Sequence, residues 1–250
     1  MKFNFTYLIL FFLLAQVSYA QKTDGGASLQ SLRAINHIKT RLSFSPVLGF
    51  YSANKNHTSG SKQKLSYAIS LKAEIRLTKE YRDFIMLGVE YMNHGVNFNS
   101  YFFYSDSIKL YTPNRLRYSY NLTIHELNFP VLFKHSFEKE SNSIFSKYIF
   151  AGYSYRYIFH SNLKVDDSGN EIYNQTEKLI FKNATFNPKG SSFLCFGGGI
   201  QHNIPNKNKA LFAEVQFKYG LSPIYLYNVH SPSSLYINGH FLCITIGFKF

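Results

Sequence analysis

A closed, antiparallel up-and-down β-barrel that crosses a membrane with eight strands is the fold class this sequence predicts. Three observations predict it. Apolar residues alternate with other residues over stretches too long for ordinary soluble strands. Long and short connections take strict turns along the chain. The chain is rich in aromatics, with 25 Phe and 20 Tyr but no Trp, while charged residues make up only 16%, against a usual share of about 25%.

The first twenty residues read as a secretory signal peptide. Lys2 precedes an apolar stretch from about Phe5 to Val17, and Ser18-Tyr19-Ala20 forms a small-x-small cleavage site. The remainder, 21–250, reads as one β domain. No later stretch approaches the ~18 apolar residues of a membrane helix, so the aromatics either fill a soluble core or face lipid in alternation. Net charge is +13, of which Lys2 leaves with the signal. Export makes nucleic acid an improbable counter-charge, and anionic lipid headgroups or surface polysaccharide the natural ones.

The clearest strand is 65–77, where Leu65, Tyr67, Ile69, Leu71, Ala73, Ile75 and Leu77 share one face. Thirteen residues of alternation exceed the ~5–6 of a typical strand and satisfy the ~9–11 of a membrane-crossing one. Residues 84–94, 148–159 and 210–220 repeat the pattern, and 41–51, 118–137 and 193–204 carry it less sharply. The last strand, 240–250, sets Leu242, Ile244, Ile246, Phe248 and Phe250 opposite Phe241, Cys243, Thr245, Gly247 and Lys249. That makes eight.

One strand breaks rhythm. Tyr118, Tyr120, Leu122 and Ile124 are even-numbered, whereas Leu127, Phe129, Val131 and Phe133 are odd, so a face reversal at a β-bulge near His125-Glu126 is expected. The connections run about twelve residues (52–63), five, two dozen, nine, over thirty, six and twenty. Long loops at one end and short turns at the other fit an outer-membrane barrel. VDDSGNEIY in the longest connection resembles a hairpin turn, which leaves a ten-stranded count open.

Four stretches carry a family likeness: HELNFPVLFKHSF (125–137), KYIFAGYSYRY (147–157), FGGGIQHNIP (196–205) with ALFAEVQFKYGLSPIY (210–225), and the terminal FLCITIGFKF. Through them the sequence resembles the PorT-like outer-membrane β-barrel family of Bacteroidota. The resemblance implies a porin-like integral outer-membrane protein. It also implies that Phe250, with Phe248, serves as the C-terminal signal read by the barrel-assembly machinery. Some family members serve type IX secretion, and nothing in these residues marks this chain as one of them.

The inward parity collects Lys72, Glu74, Arg76, Glu90, Glu126, Lys134, Arg156, Glu214, Lys218 and Lys249, six basic and four acidic. An eight-stranded barrel has room only for side chains, so these charges must pair or meet water; a structural ion-pair network in a plugged lumen is expected, with a gated solute path as the functional alternative. None of the nine histidines shows a tight metal-ligand spacing. The pairs His135-Ser136, His160-Ser161 and His230-Ser231 cannot act alone, because strand neighbours face opposite ways. Gly197-Gly198-Gly199 lacks the Lys-Ser/Thr and helix of a phosphate loop, and reads as close packing beneath aromatics. Cys195 and Cys243 fall on strands six and eight, about 10 Å apart and beyond the ~7 Å of a disulfide; two free buried thiols are expected. The sequons at Asn56, Asn121, Asn174 and Asn183 read as chance, and Tyr153, Tyr155 and Tyr157 as a lipid-facing girdle.

The expected function is a non-enzymatic structural or binding barrel in the outer membrane, without cofactor or metal. Its partners would be membrane lipid and lipopolysaccharide, with no nucleic acid, and loops 95–117, 160–190 and 221–239 are the expected contact surface of a monomer. The alternatives are an outer-membrane lipid-modifying enzyme, with His125, His135 and His160 as its candidate histidines, and a soluble lipocalin-like binder.

Overall fold

The computed structural model describes residues 38–53, 58–77, 82–102, 116–138, 144–166, 185–187, 191–205, 209–222, 224–227 and 235–250. The chain divides into Met1–Ile38, which apart from Ile38 lies outside the described residues, and Lys39–Phe250. The signal peptide, the VDDSGNEIY turn beyond Asp166, His230 and the sequons at Asn56, Asn174 and Asn183 likewise lie outside them.

Eleven strands occur among the described residues: β1 (Ile38–Ala53), β2 (Thr58–Gln63), β3 (Ser66–Arg76), β4 (Asp83–Phe102), β5 (Leu116–Ser136), β6 (Phe145–Asp166), β7 (Thr185–Asn187), β8 (Ser191–Asn203), β9 (Ala210–Gly220), β10 (Ile224–Tyr227) and β11 (Leu235–Lys249). Eight of them follow one another around a ring, β1-β3-β4-β5-β6-β8-β9-β11, and β11 pairs antiparallel with β1 to close it. The closing ladder runs from Arg41 opposite Lys249 to Ala53 opposite Ile237. At its end Thr40 and Phe250 exchange two backbone hydrogen bonds, N–H to O at 2.8 and 2.9 Å. The β1–β11 pairing leaves no unpaired edge of the ring in hydrocarbon.

Apolar alternation decides which face turns outward. Leu71, Val215 and Ile246 are 52%, 53% and 62% exposed, while their neighbours Lys72 and Glu214 are 6% and 5% exposed. A soluble sheet would invert this. Leu42, Phe44, Val131, Phe133, Ile149, Tyr153, Tyr155, Tyr157, Leu194 and Phe196 continue the exposed band around the wall. A contiguous apolar surface of that extent is not tolerated in water and is the lipid-facing girdle of a transmembrane barrel. The soluble lipocalin-like alternative is thereby removed.

Three expectations need correction. The bulge does fall between His125 and Glu126, where β5 passes from His160 to Ile158 on β6. The extra residue is Phe159 on β6, however, and β5 keeps its parity: Leu122 and Ile124 turn inward with no exposure. The barrel interior is itself apolar at that level, so apolar residues on β5 do not mark the lipid face. Residues 52–63 do not form a plain loop, because β1 extends to Ala53 and β2 lies along β4. The loops 95–117, 160–190 and 221–239 are partly strand as well: β4 runs to Phe102, β6 to Asp166, and β7, β10 and the start of β11 form a short ladder. These ladders lengthen the long-loop end without adding a membrane crossing, and the ring stays at eight.

Glycines permit the tightest packing inside. A Cβ on Gly197 would stand 2.7 Å from Cζ of Phe150 and press on the Val215 carbonyl. The triple glycine is therefore a seat for aromatics, as its sequence suggested.

Candidate functional site

Inward parity gathers charges from all parts of the ring into three layers. The first lies at the end of the ring that holds Phe250. Glu74 on β3 accepts from Lys249 Nζ at 2.5 Å and from Lys134 Nζ at 3.2 Å, with Arg41 Nη1 at 3.5 Å. Arg41 also donates to Glu214, which takes a second hydrogen bond from the Tyr148 hydroxyl at 2.8 Å. The cations lie against aromatic faces: Arg41 is 3.9 Å from the Phe212 ring centroid and Lys134 is 4.2 Å from that of Tyr148.

The middle layer centres on Glu90, which accepts from Lys218 and faces Lys72 Nζ at 3.9 Å. The third centres on Glu126, with His94 Nε2 at 3.0 Å and Arg156 Nε at 3.7 Å. His94 reaches onward through Nδ1 to the Tyr51 hydroxyl at 2.8 Å. Asn128 bridges these two layers, donating to Glu126 at 3.1 Å and Glu90 at 3.4 Å. Apolar side chains pack among this layer, with Met92 opposite Glu126, Phe241 4.7 Å from the His94 ring and Phe193 under Arg156 at 4.8 Å, and Val96, Leu122 and Ile124 continue past it; each is at most 1% exposed.

Nine of the ten predicted interior charges are thus buried together: Lys72, Glu74, Glu90, Glu126, Lys134, Arg156, Glu214, Lys218 and Lys249. Arg76, at the terminus-bearing end of β3, is half-buried. Two members were missed. Arg41 shares the inward parity of Ser43 and Ser45 near the start of β1. His94 has the parity of Glu90 but looks like a strand-end histidine. Both already stand at the ends of the predicted strands 41–51 and 84–94, so carrying the alternation through to those end positions finds them.

Cys195 on β8 and Cys243 on β11 are free and buried, with β9 between them. Ser136 is fully buried while His135 is partly exposed on the opposite face, so that pair does not meet. His135 instead holds Asp83 at 2.7 Å. Phe250 is exposed at the end of the closing strand, and its ring stacks on Phe248 at 6.0 Å.

Comparison with known proteins agrees with the architecture. The family described as "Outer membrane protein beta-barrel domain" matches residues 19–226. No curated protein matches the chain. Among solved structures, OprG of Pseudomonas aeruginosa is similar over 85% of this chain and 95% of its own, at 13% identity and a TM-score of 0.57, a likeness of fold. Neisserial surface protein A covers 85% and 96% at 11% identity and a TM-score of 0.43. The outer membrane protease OmpT of Escherichia coli covers 85% and 96% at 10% identity and a TM-score of 0.42. A family match over well more than half the chain, on a closed eight-stranded ring with an apolar exterior, makes this chain a member of the outer membrane protein β-barrel domain family, located in the outer membrane.

Proposed function

We propose that the protein is a non-enzymatic structural or binding barrel whose lumen is plugged and whose contacts are made by the segments beyond its long-loop end. One observation carries this reading: three ion-pair layers stand in series, and the apolar side chains packed among and past them are at most 1% exposed. A water-filled path would have to break buried pairs at several levels at once. Planar-bilayer recording tests it. Sparse or absent conductance is expected, and a steady large conductance would refute the plug.

PorT-like membership remains part of this proposal, as does the role of Phe248 and Phe250 as the signal for the assembly machinery. The external contacts would come from 95–117, 160–190 and 221–239, with the barrel acting as a monomer. A lipid-modifying activity is favoured by one feature, the His135–Asp83 pair on the outer face. Replacing His125, His135 and His160 singly with Ala and assaying lipid A separates the readings. Unchanged lipid A in all strains supports the non-enzymatic one.

A further inference from the structure

The outer wall formed by β3 to β6 carries a basic patch just above the lipid-facing band. Along β5, His135 and His125 bracket Phe133, Val131, Phe129 and Leu127. Ten residues at ~3.4 Å per residue and a tilt of ~40° span about 25 Å, the height of the apolar girdle. His125 therefore marks the external border, and outward residues beyond it meet headgroups.

Lys64 joins β2 to β3 and crosses the outer surface above Gly95, where a Cβ would meet its Cδ at 2.9 Å. Its amine donates to Thr123 Oγ1 at 2.8 Å and to Asn121 Oδ1, both neutral. Lys164 on β6 pairs with that same Asn121 and is exposed. Partial burial first, and the Lys164 ammonium second, push the Lys64 amine below the ordinary lysine range. Asp166 enters the ladder two residues further out, opposite Ser119.

Directly beneath, the His125 and His160 rings are 5.4 Å apart, and the Tyr91 hydroxyl lies 2.8 Å from His125 Nδ1. Beside them rings run around the wall from strand to strand: Phe44 on β1 to Tyr67 on β3 at 6.4 Å, Tyr67 to Tyr91 on β4 at 6.0 Å, and Tyr91 to Phe159 on β6 at 6.2 Å. Two cations above a row of imidazole and aromatic rings, with the lipid-facing band below, match an amphiphile, anionic at one end and apolar at the other.

We propose that this wall holds an outer-leaflet lipid with a phosphorylated headgroup, its phosphate against Lys64 and Lys164 and its acyl chains descending past the Tyr67, Tyr91 and Phe159 rings. The site rests on the outer-membrane location and not on the plugged lumen, so the conductance result leaves it untouched. Continuity with the lipid-facing band favours a lipid over a soluble polyanion.

Native mass spectrometry of the full-length protein in detergent tests it, with diphosphoryl lipid A, phosphatidylcholine and inorganic pyrophosphate as probes. The wild type should retain diphosphoryl lipid A, and Lys64→Gln with Lys164→Gln should weaken that by at least tenfold, at roughly 1 kcal/mol per lysine near a charged surface. Lys164→Gln alone, a change at an exposed strand position, should weaken it about fivefold. Lys147→Gln, exposed at the opposite end of β6, should change nothing. Equal retention by the lysine variants would overturn the proposal. So would phosphatidylcholine bound as well as lipid A, or pyrophosphate bound as tightly, which would mark a soluble-anion site.

Discussion

Replacing Glu74 with glutamine probes the interior at its most crowded point. One carboxylate there faces three cations, Lys249 at 2.5 Å, Lys134 at 3.2 Å and Arg41 at 3.5 Å. Glu214 is the other carboxylate in contact with Arg41. Glutamine keeps the shape and removes the charge, leaving the layer with three cations and one anion in a low-dielectric interior. Breaking a buried ion pair from one side costs about 3–5 kcal/mol, and the shared carboxylate puts Glu74→Gln at the upper part of that range. The assay is urea unfolding of the refolded barrel followed by far-ultraviolet circular dichroism, since the chain has no Trp to report by fluorescence. Removing a cation as well, in Glu74→Gln with Lys134→Met, should restore about 1–3 kcal/mol, the coupling expected of groups in one network. A loss below about 1 kcal/mol for Glu74→Gln, with no recovery in the double variant, would refute the claim that these charges stabilise one another.

Three further outcomes follow from the same geometry. Leu71→Arg places a charge on the lipid face and should cost about 2–4 kcal/mol in lipid vesicles, several times the cost of Leu71→Gln; equal costs would contradict a hydrocarbon environment. Cys195 and Cys243 should resist maleimide in the folded barrel and take two labels after denaturation, while a mass two hydrogens short, showing a bridge, would break the strand count. Phe250→Ala should lower the amount of folded barrel in cell membranes several-fold yet leave refolding into detergent almost unchanged; equal effects in both would assign Phe250 to stability and not to recognition by the assembly machinery.

The membrane-crossing strands were legible because lipid and lumen impose opposite demands on alternate residues. Where that contrast holds, as in 65–77 and 210–220, parity alone assigned Leu71 and Val215 outward and Lys72 and Glu214 inward. Where it fades, the reading failed. Leu122 and Ile124 are apolar like the lipid face but fill the apolar layer of the interior, which made β5 look reversed. Beyond the membrane neither face must be apolar, so β2 and the far part of β4 read as loop although their ladder continues from Thr58 opposite Ser100 to Gln63 opposite Val96. Which charges meet was also illegible. The stagger of strands around the ring brings Glu74 to Lys249, residues 175 apart in sequence, and only the closed register fixes that encounter.

The most direct test of the central claim is the accessibility of spin labels along β3 and β11 in a Cys195→Ala, Cys243→Ala background reconstituted in lipid. Labels at Ile69, Leu71, Ile244 and Ile246 should collide freely with dissolved oxygen and rarely with a water-soluble nickel chelate. Labels at Ser70, Lys72 and Thr245 should meet neither, giving a period of two. Nickel collisions dominating at Leu71 and Ile246 would contradict the account, because the apolar face would then lie in water.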